Sequence, residues 1–420
     1  MLACGGIDDD RDASAADAAS NDTTVVDAVD ASDLFDVMPT SCPQGGSLQP
    51  GAPWPMVNRC PSRESRTNEL VAQDPSVKWT VQTSGGGIPS WGYQLGPVVA
   101  ADGTVYVGGS QLTAVTSTGT VKWTFADASG QTLLAPMVGA DGSVYVGTLS
   151  GGLDAIDANG SVEWSFAPAC APSLPPYGCL GGFPTIANDG TIYTEVNNGG
   201  IDTLNAVSSN GQVRWSYVPT GANPPGDVDT ITITYDGTVV FDHFYELVAL
   251  SPTGSLDWTW TSGSAPTQAS VGAPSVGSDG TIYVVTANPN ALHAIGSNGV
   301  EIWEYDLGSS FYANGTAPTI AADGTVYVGG GGGLQAVKAG LPVWGFDFDL
   351  YGEVFSPTSI SGDGTLYASN SVGVFALSPS GSELWTIKTP TAIPWFGVAI
   401  GTSGVLYTVD EDSVLYAIGP

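Results

Sequence analysis

One pattern recurs eight times along the chain, and it constrains the fold more than any other feature. Its opening half is a tight turn between short alternating runs, as in Asp102-Gly103-Thr104-Val105-Tyr106. Close copies begin at Asp141, Asp189, Asp236, Asp279, Asp323 and Asp363, and a worn one runs Ser403-Gly404-Val405-Leu406-Tyr407. The closing half sets an alanine, a glycine and a tryptophan at relative positions 0, 5 and 9. That spacing holds for Ala114/Gly119/Trp123, Ala155/Gly160/Trp164, Ala206/Gly211/Trp215, Ala249/Gly254/Trp258, Ala294/Gly299/Trp303 and Ala376/Gly381/Trp385. Ala336/Gly340/Trp344 is one residue short before the glycine. Ala417 opens an eighth copy, and the matching tryptophan is upstream, in Val77-Lys78-Trp79-Thr80-Val81.

That displacement fixes the topology. Eight opening halves and eight tryptophans match only if the N-terminal strand completes the last repeat, which closes a ring and removes two sheet edges. The period of about 40 to 50 residues with four short strands per unit is that of a propeller blade. Asp-Gly between alternating runs is the strongest short hairpin signal, because glycine enters positive φ without a Cβ clash. Val, Ile, Thr, Tyr and Trp dominate the runs, and no window reads as a long amphipathic helix. The expected fold is therefore all-β: an eight-bladed propeller of four-stranded antiparallel blades closed by an N-terminal strand. The fixed alanines and glycines leave room for a large ring to dock, so Trp79, Trp123, Trp164, Trp215, Trp258, Trp303, Trp344 and Trp385 are expected to be structural.

The spacing Ala-x-(Asp/Ser)-x-x-Gly-x-x-x-Trp resembles the tryptophan-docking repeat of the PQQ-like (pyrroloquinoline-quinone-type) eight-bladed propellers, over roughly residues 75 to 420. That family holds quinoprotein dehydrogenases and also non-enzymatic propellers, among them the lipoprotein of the bacterial outer-membrane barrel-assembly machine. Trp54-Pro55-Met56, with Arg63 and Arg66 after it, looks like the lead-in of many bacterial members. The resemblance implies the fold more firmly than any job, since one superfold hosts unrelated functions.

Three regions are expected: 1–45, a lipobox remnant and acidic Asp/Ala/Ser tether; 46–74, a Pro-rich lead-in; and 75–420, the propeller. The first 40 residues carry ten acidic residues against one arginine and little to bury, which reads as a disordered, self-repelling tether. Leu2-Ala3-Cys4 followed by Gly5-Gly6 resembles the end of a bacterial lipobox, making Cys4 the expected lipidation site. The charged and apolar parts of a signal peptide do not precede it here. Either the start lies further upstream or the match is chance. Four cysteines remain, in two local pairs, Cys42-Cys60 and Cys170-Cys179. Disulfides there would pin loops in an oxidising compartment; the alternative is reduced thiols in the cytosol.

A net charge of −32 argues against nucleic acid and repels the body from anionic membranes, leaving the lipid as the only membrane contact. Arg59, Arg63 and Arg66, three of nine basic residues, cluster in the lead-in, where they are expected to dock on acidic loops. A quinone enzyme needs cations, calcium ligands and, in family enzymes, an adjacent-cysteine disulfide. This chain has no Cys-Cys pair, and Lys122 and Arg214 precede repeat tryptophans on outer strands. No catalytic residue, cofactor or metal is therefore expected, and with two histidines and no Cys-x-x-Cys zinc is disfavoured. His243, near Asp242 and Glu246, reads as a loop residue of the fourth blade, and His293 as a structural third-strand residue.

Variation among the repeats points to a site. The Asp-Gly turns and the turns before each tryptophan are nearly constant, whereas the second-to-third and fourth-to-next connections vary and share one face. That face would carry Trp91, Tyr93, Tyr177, Phe183, Phe311, Tyr312, Tyr351, Phe355, Trp395 and Phe396, suited to a protein or glycan partner; the alternative is that most of them pack and seal the ring. The expectation is a non-catalytic, monomeric, exported cell-envelope lipoprotein acting as a binding scaffold. Its alternatives are an outer-membrane assembly factor-like lipoprotein and a degenerate quinone-dependent dehydrogenase.

Overall fold

Each Asp-Gly turn places its glycine at positive φ, 78° at Gly103 and 90° at Gly237, and the aspartate carboxylate caps the turn by accepting the backbone N–H two residues on, as from Thr104 to Asp102 at 2.9 Å. The turn joins the first strand of each blade to the second, and a polar turn joins the third to the fourth. In the first blade these strands are Val98–Val99, Val105–Val107, Leu112–Val115 and Val121–Phe125. A computed structural model describes residues 42, 47–83, 96–128, 130, 132–168, 179–198, 201–220, 230–243, 245–263, 270–309, 317–331, 333–346, 358–393 and 397–420. These form eight antiparallel sheets, six of four strands and two with an additional short strand. First to third strands are almost wholly buried, whereas fourth strands such as Val121–Phe125 alternate toward solvent, so the chain works outward from axis to rim in every blade.

Ser76–Gln82 pairs with Val414–Gly419 and completes the sheet that holds Ala399–Ile400 and Leu406–Val409. Here Trp79 faces Ala417, as Trp123 faces Ala114 and Trp215 faces Ala206. The ring thus closes as the repeat count requires.

The Ala-Gly-Trp spacing follows from packing between blades. Each tryptophan lies over the glycine of the next blade, where a Cβ would approach the indole to 2.9 Å at Gly160 and 2.7 Å at Gly254. Its N–H donates to a carbonyl of the same turn, Trp123 to Ala158 at 2.9 Å and Trp215 to Pro252 at 3.0 Å. Inside its own blade it meets the tyrosine of the opening half, with centroids 5.6 Å apart for Tyr106–Trp123 and for Tyr193–Trp215, except in the fourth blade, where Val240 stands at the tyrosine's position. Trp385 is the exception, a buried indole N–H with no hydrogen-bond partner. Its neighbour is the closing blade, whose third and fourth strands come from opposite ends of the chain, so no turn joins them there.

Candidate functional site

The innermost strand of a blade turns an edge toward the axis, and its unpaired N–H groups need acceptors. Residues 47–71 supply them. Val99 donates to Trp54 O at 2.7 Å, Val138 to Pro55 O at 2.8 Å, and Ile233 to Pro61 O at 2.9 Å. Val276 donates to Ser62 O at 2.8 Å, and Ile360 to Ser65 O at 2.8 Å; Ile320 to Glu64 O is longer, 3.5 Å. The third blade is reached by Ser47 Oγ donating to Asn188 O at 2.6 Å, and the closing blade by Ser403 N donating to Glu69 Oε2 at 3.1 Å. Within 61–65 the chain advances about one residue per blade. To turn so tightly, Asn58, Arg59, Arg63 and Ser65 adopt positive φ between 55° and 66°.

The lead-in is therefore a plug across the ring. Its backbone bonds lie at the ends of the first strands next to the Asp-Gly turns, and Val57 and Arg63 reach along the axis to Phe183. The expected Cys42–Cys60 disulfide is present and fastens it. Its three arginines behave otherwise than a surface-charge reading expects: all three are buried. Arg59 Nε donates to Pro53 O at 3.2 Å and Arg63 Nε to Ile231 O of the fourth blade at 3.2 Å. Arg66 pairs with Glu64 at 2.6 Å. Burial pulls Arg59 and Arg63 down to about 10, opposed at Arg59 by Glu64 and at Arg63 by Asp242, so both stay charged at neutral pH. Buried polar groups meet them: a carbonyl of the lead-in for Arg59, a first-strand carbonyl for Arg63 and a carboxylate for Arg66.

On the opposite side, a polar seam joins the third and fourth blades. His243 ends the strand Val239–His243 rather than lying in a loop. Its Nδ1 lies 3.1 Å from Asp202 Oδ2 of the neighbouring blade, and Asn197 donates to the other Asp202 oxygen at 2.5 Å. Asp242 accepts the Thr230 N–H at 2.7 Å, and Glu246 lies opposite His243 in the strand register. Burial raises the Glu246 carboxyl, with His243 opposing. Elsewhere, His293, Glu301 and Glu304 bring their ligand atoms within 4.8 Å of one another on the outer strands of the fifth blade.

Of the ten aromatic residues expected on the variable face, only Phe183 is among the described residues. It is half-buried, bridges to Thr230, and lines a small cavity beside the plug with Met56, Val57 and Arg63. Trp91, Tyr93, Tyr177, Phe311, Tyr312, Tyr351, Phe355, Trp395 and Phe396 lie outside them, as do Cys4, Cys170 and the side chain of Cys179. The eight docking tryptophans all occupy fourth strands. Lys122, Arg214 and Lys338 fold back onto the aspartates of their own Asp-Gly turns, Asp102 at 3.2 Å, Asp189 at 2.8 Å and Asp323 at 2.9 Å. The plug's contacts and the fifth-blade cluster escape sequence reasoning. The second had a faint signal, since the turn spacing places His293 opposite Glu304. Among the described residues no helix is long and apolar enough to cross a membrane.

A closed eight-bladed ring with tryptophan-docked blades is the architecture of the PQQ-like propellers. The chain belongs to that family: the profile described as outer membrane protein assembly factor BamB matches residues 66–259 and 243–393. Among solved structures it is similar to BamB from Moraxella catarrhalis, with 18% identity and a TM-score of 0.60 over 83% of this chain and 100% of the other. Virginiamycin B lyase from Staphylococcus aureus follows at 12% identity and 0.53, over 83% and 100%. A streptogramin B lyase is similar at 15% identity and 0.52, over 81% and 97%. At these identities the likeness is one of fold, shared by an assembly factor and by enzymes. No curated protein matches the sequence.

Proposed function

We propose that the protein is a non-catalytic propeller scaffold of the bacterial cell envelope that holds a protein partner on its variable face, as an outer-membrane assembly factor would. One observation carries this reading: the plug bonds to all eight blades on the Asp-Gly side, which leaves the face of variable connections as the side free to evolve a ligand surface. The family membership supports a protein partner over a glycan. In this reading Cys4 carries the lipid, residues 1–45 are the tether, and the propeller works as a monomer. The described lysines and arginines of the blades are committed to turn aspartates or remain on outer strands, which supports a scaffold over a quinone enzyme. Absorbance after mixing with the quinone and calcium should show no bound cofactor.

The test is site-specific photocrosslinking in the native envelope. A photoreactive residue at Tyr312, Tyr351 or Trp395 should capture one envelope protein, and the same residue at Asn298, in a turn on the plugged side, should not. Equal capture from both faces, or a product that survives Trp395→Ala with Phe396→Ala, overturns the reading.

A further inference from the structure

We propose that His293, Glu301 and Glu304 form a binding site for a divalent transition-metal ion of the zinc class, on the rim of the fifth blade and independent of the variable face. The argument begins with one hydroxyl proton. Thr286 Oγ1 donates to Pro289 O at 3.0 Å and also lies 3.0 Å from His293 Nε2. Its single proton is committed to the carbonyl, so the imidazole must donate from Nε2. Nδ1 then carries a lone pair. That atom is buried without a hydrogen-bond partner on a side chain with no exposed surface, and it points at Glu301 Oε2, 3.5 Å away. A lone pair facing a carboxylate is two acceptors in opposition, and a cation between them resolves the conflict.

The dimensions fit. Ligand atoms about 2.1 Å from a tetrahedral ion stand about 3.4 Å from one another, close to the observed separation. Glu304 lies opposite His293 in the strand register, and all three ligand atoms fall within 4.8 Å. One imidazole nitrogen and two carboxylate oxygens suit zinc, cobalt or manganese better than calcium, whose sites are all oxygen. The Thr286 hydroxyl supplies the outer-shell partner that fixes the ring tautomer in metal-binding histidines. Both glutamates are exposed, so the ion has a path from solvent. Three protein ligands leave a coordination position to water or to a side chain of another molecule.

Zinc chloride titrated into the full chain, in physiological salt with excess magnesium, should bind with one saturable site. Glu301→Gln and Glu304→Gln, both surface changes, should each weaken it at least tenfold. Asp257→Asn, an exposed carboxylate on the neighbouring blade, should leave it unchanged and so account for binding to the acidic surface at large. With only two histidines in the chain, nitrogen NMR resolves His293. Zinc should shift its Nδ1 resonance while Nε2 keeps its proton. Absence of saturable binding below about 1 mM, binding indifferent to both glutamine variants, or an Nδ1 resonance that zinc does not move would overturn the site. None of these outcomes bears on the variable face.

Discussion

Gly254 and Gly280 offer a matched pair that isolates the tryptophan-docking contact. Both have φ of 83°. A Cβ at Gly280 meets nothing within 4 Å, whereas one at Gly254 would lie 2.7 Å from Cδ2 and 2.8 Å from Cε3 of Trp215. Gly280→Ala should therefore cost only the left-handed backbone term, about 1–2 kcal/mol. Gly254→Ala pays the same term and also displaces an indole that is tied by its N–H to Pro252 O. Overpacking of this kind adds roughly 1–3 kcal/mol, so Gly254→Ala should total about 2–5 kcal/mol. Urea denaturation followed by far-UV circular dichroism measures both. In the Trp215→Ala background the excess at Gly254 should vanish, because the atoms it collides with are gone, giving a coupling of roughly 1–3 kcal/mol. If the two alanine variants agree within about 0.5 kcal/mol, the glycine answers to turn conformation alone and the packing explanation of the repeat is wrong.

Trp215→Ala itself should destabilise by about 3–5 kcal/mol in the same assay, as large aromatic truncations do. Trp215→Phe should cost more than Trp385→Phe by about 1 kcal/mol, since only the first loses an indole hydrogen bond. Reducing the Cys42–Cys60 disulfide, or replacing Cys60 by serine, should lower stability by about 3 kcal/mol for a link spanning 18 residues, read as a drop in melting temperature. Acid should weaken the fold through its turns. At Asp102 and Asp323 burial pushes the carboxyl up, but threonine and lysine hydrogen bonds outweigh it, and at Asp236 the Thr234 hydroxyl leads; all three end below their ordinary value. A folded value below the unfolded one means the contribution is whole above about pH 4 and is lost as pH falls through the lowered values. As far as these turns go, urea midpoints should agree at pH 7 and 5 and fall at pH 3, and Asp323→Asn should reduce that fall.

How much of this was legible in the sequence depends on the range of the interaction. The blade was readable because Ala206, Gly211 and Trp215 are tied by one hairpin register and one steric condition, which any copy must repeat. Ring closure was readable too, since Trp79 had no partner until it was set against Ala417. The plug was not, beyond its disulfide. Its carbonyls serve strands from 45 residues away, as Val99 is from Trp54, to nearly 300, as Ile360 is from Ser65, without periodicity of their own. The three arginines misled for a related reason: charge is ordinarily solvated, and here each buried guanidinium is met by a different group, Arg59 by a carbonyl of the lead-in, Arg63 by one of a blade and Arg66 by Glu64. His243 was misplaced because its partner, Asp202, belongs to another blade.

The division of labour between the two faces follows from these ranges. On the Asp-Gly side the connections are short, most of them capped by their own aspartate or hydroxyl, and the axis is bonded to the plug blade by blade. A residue changed there disturbs a turn, a neighbouring tryptophan or a first-strand N–H, so that face is bound to the integrity of the ring. The opposite connections carry fewer fixed contacts of this kind: some described residues bond across blades, as Gly109 does with Leu133 and His243 with Asp202, but these contacts differ from blade to blade, while the tryptophans at the rim and the plug at the axis recur. A propeller stabilised from one side is free to vary on the other, and that asymmetry, more than any single residue, makes the variable face the place to look for a partner.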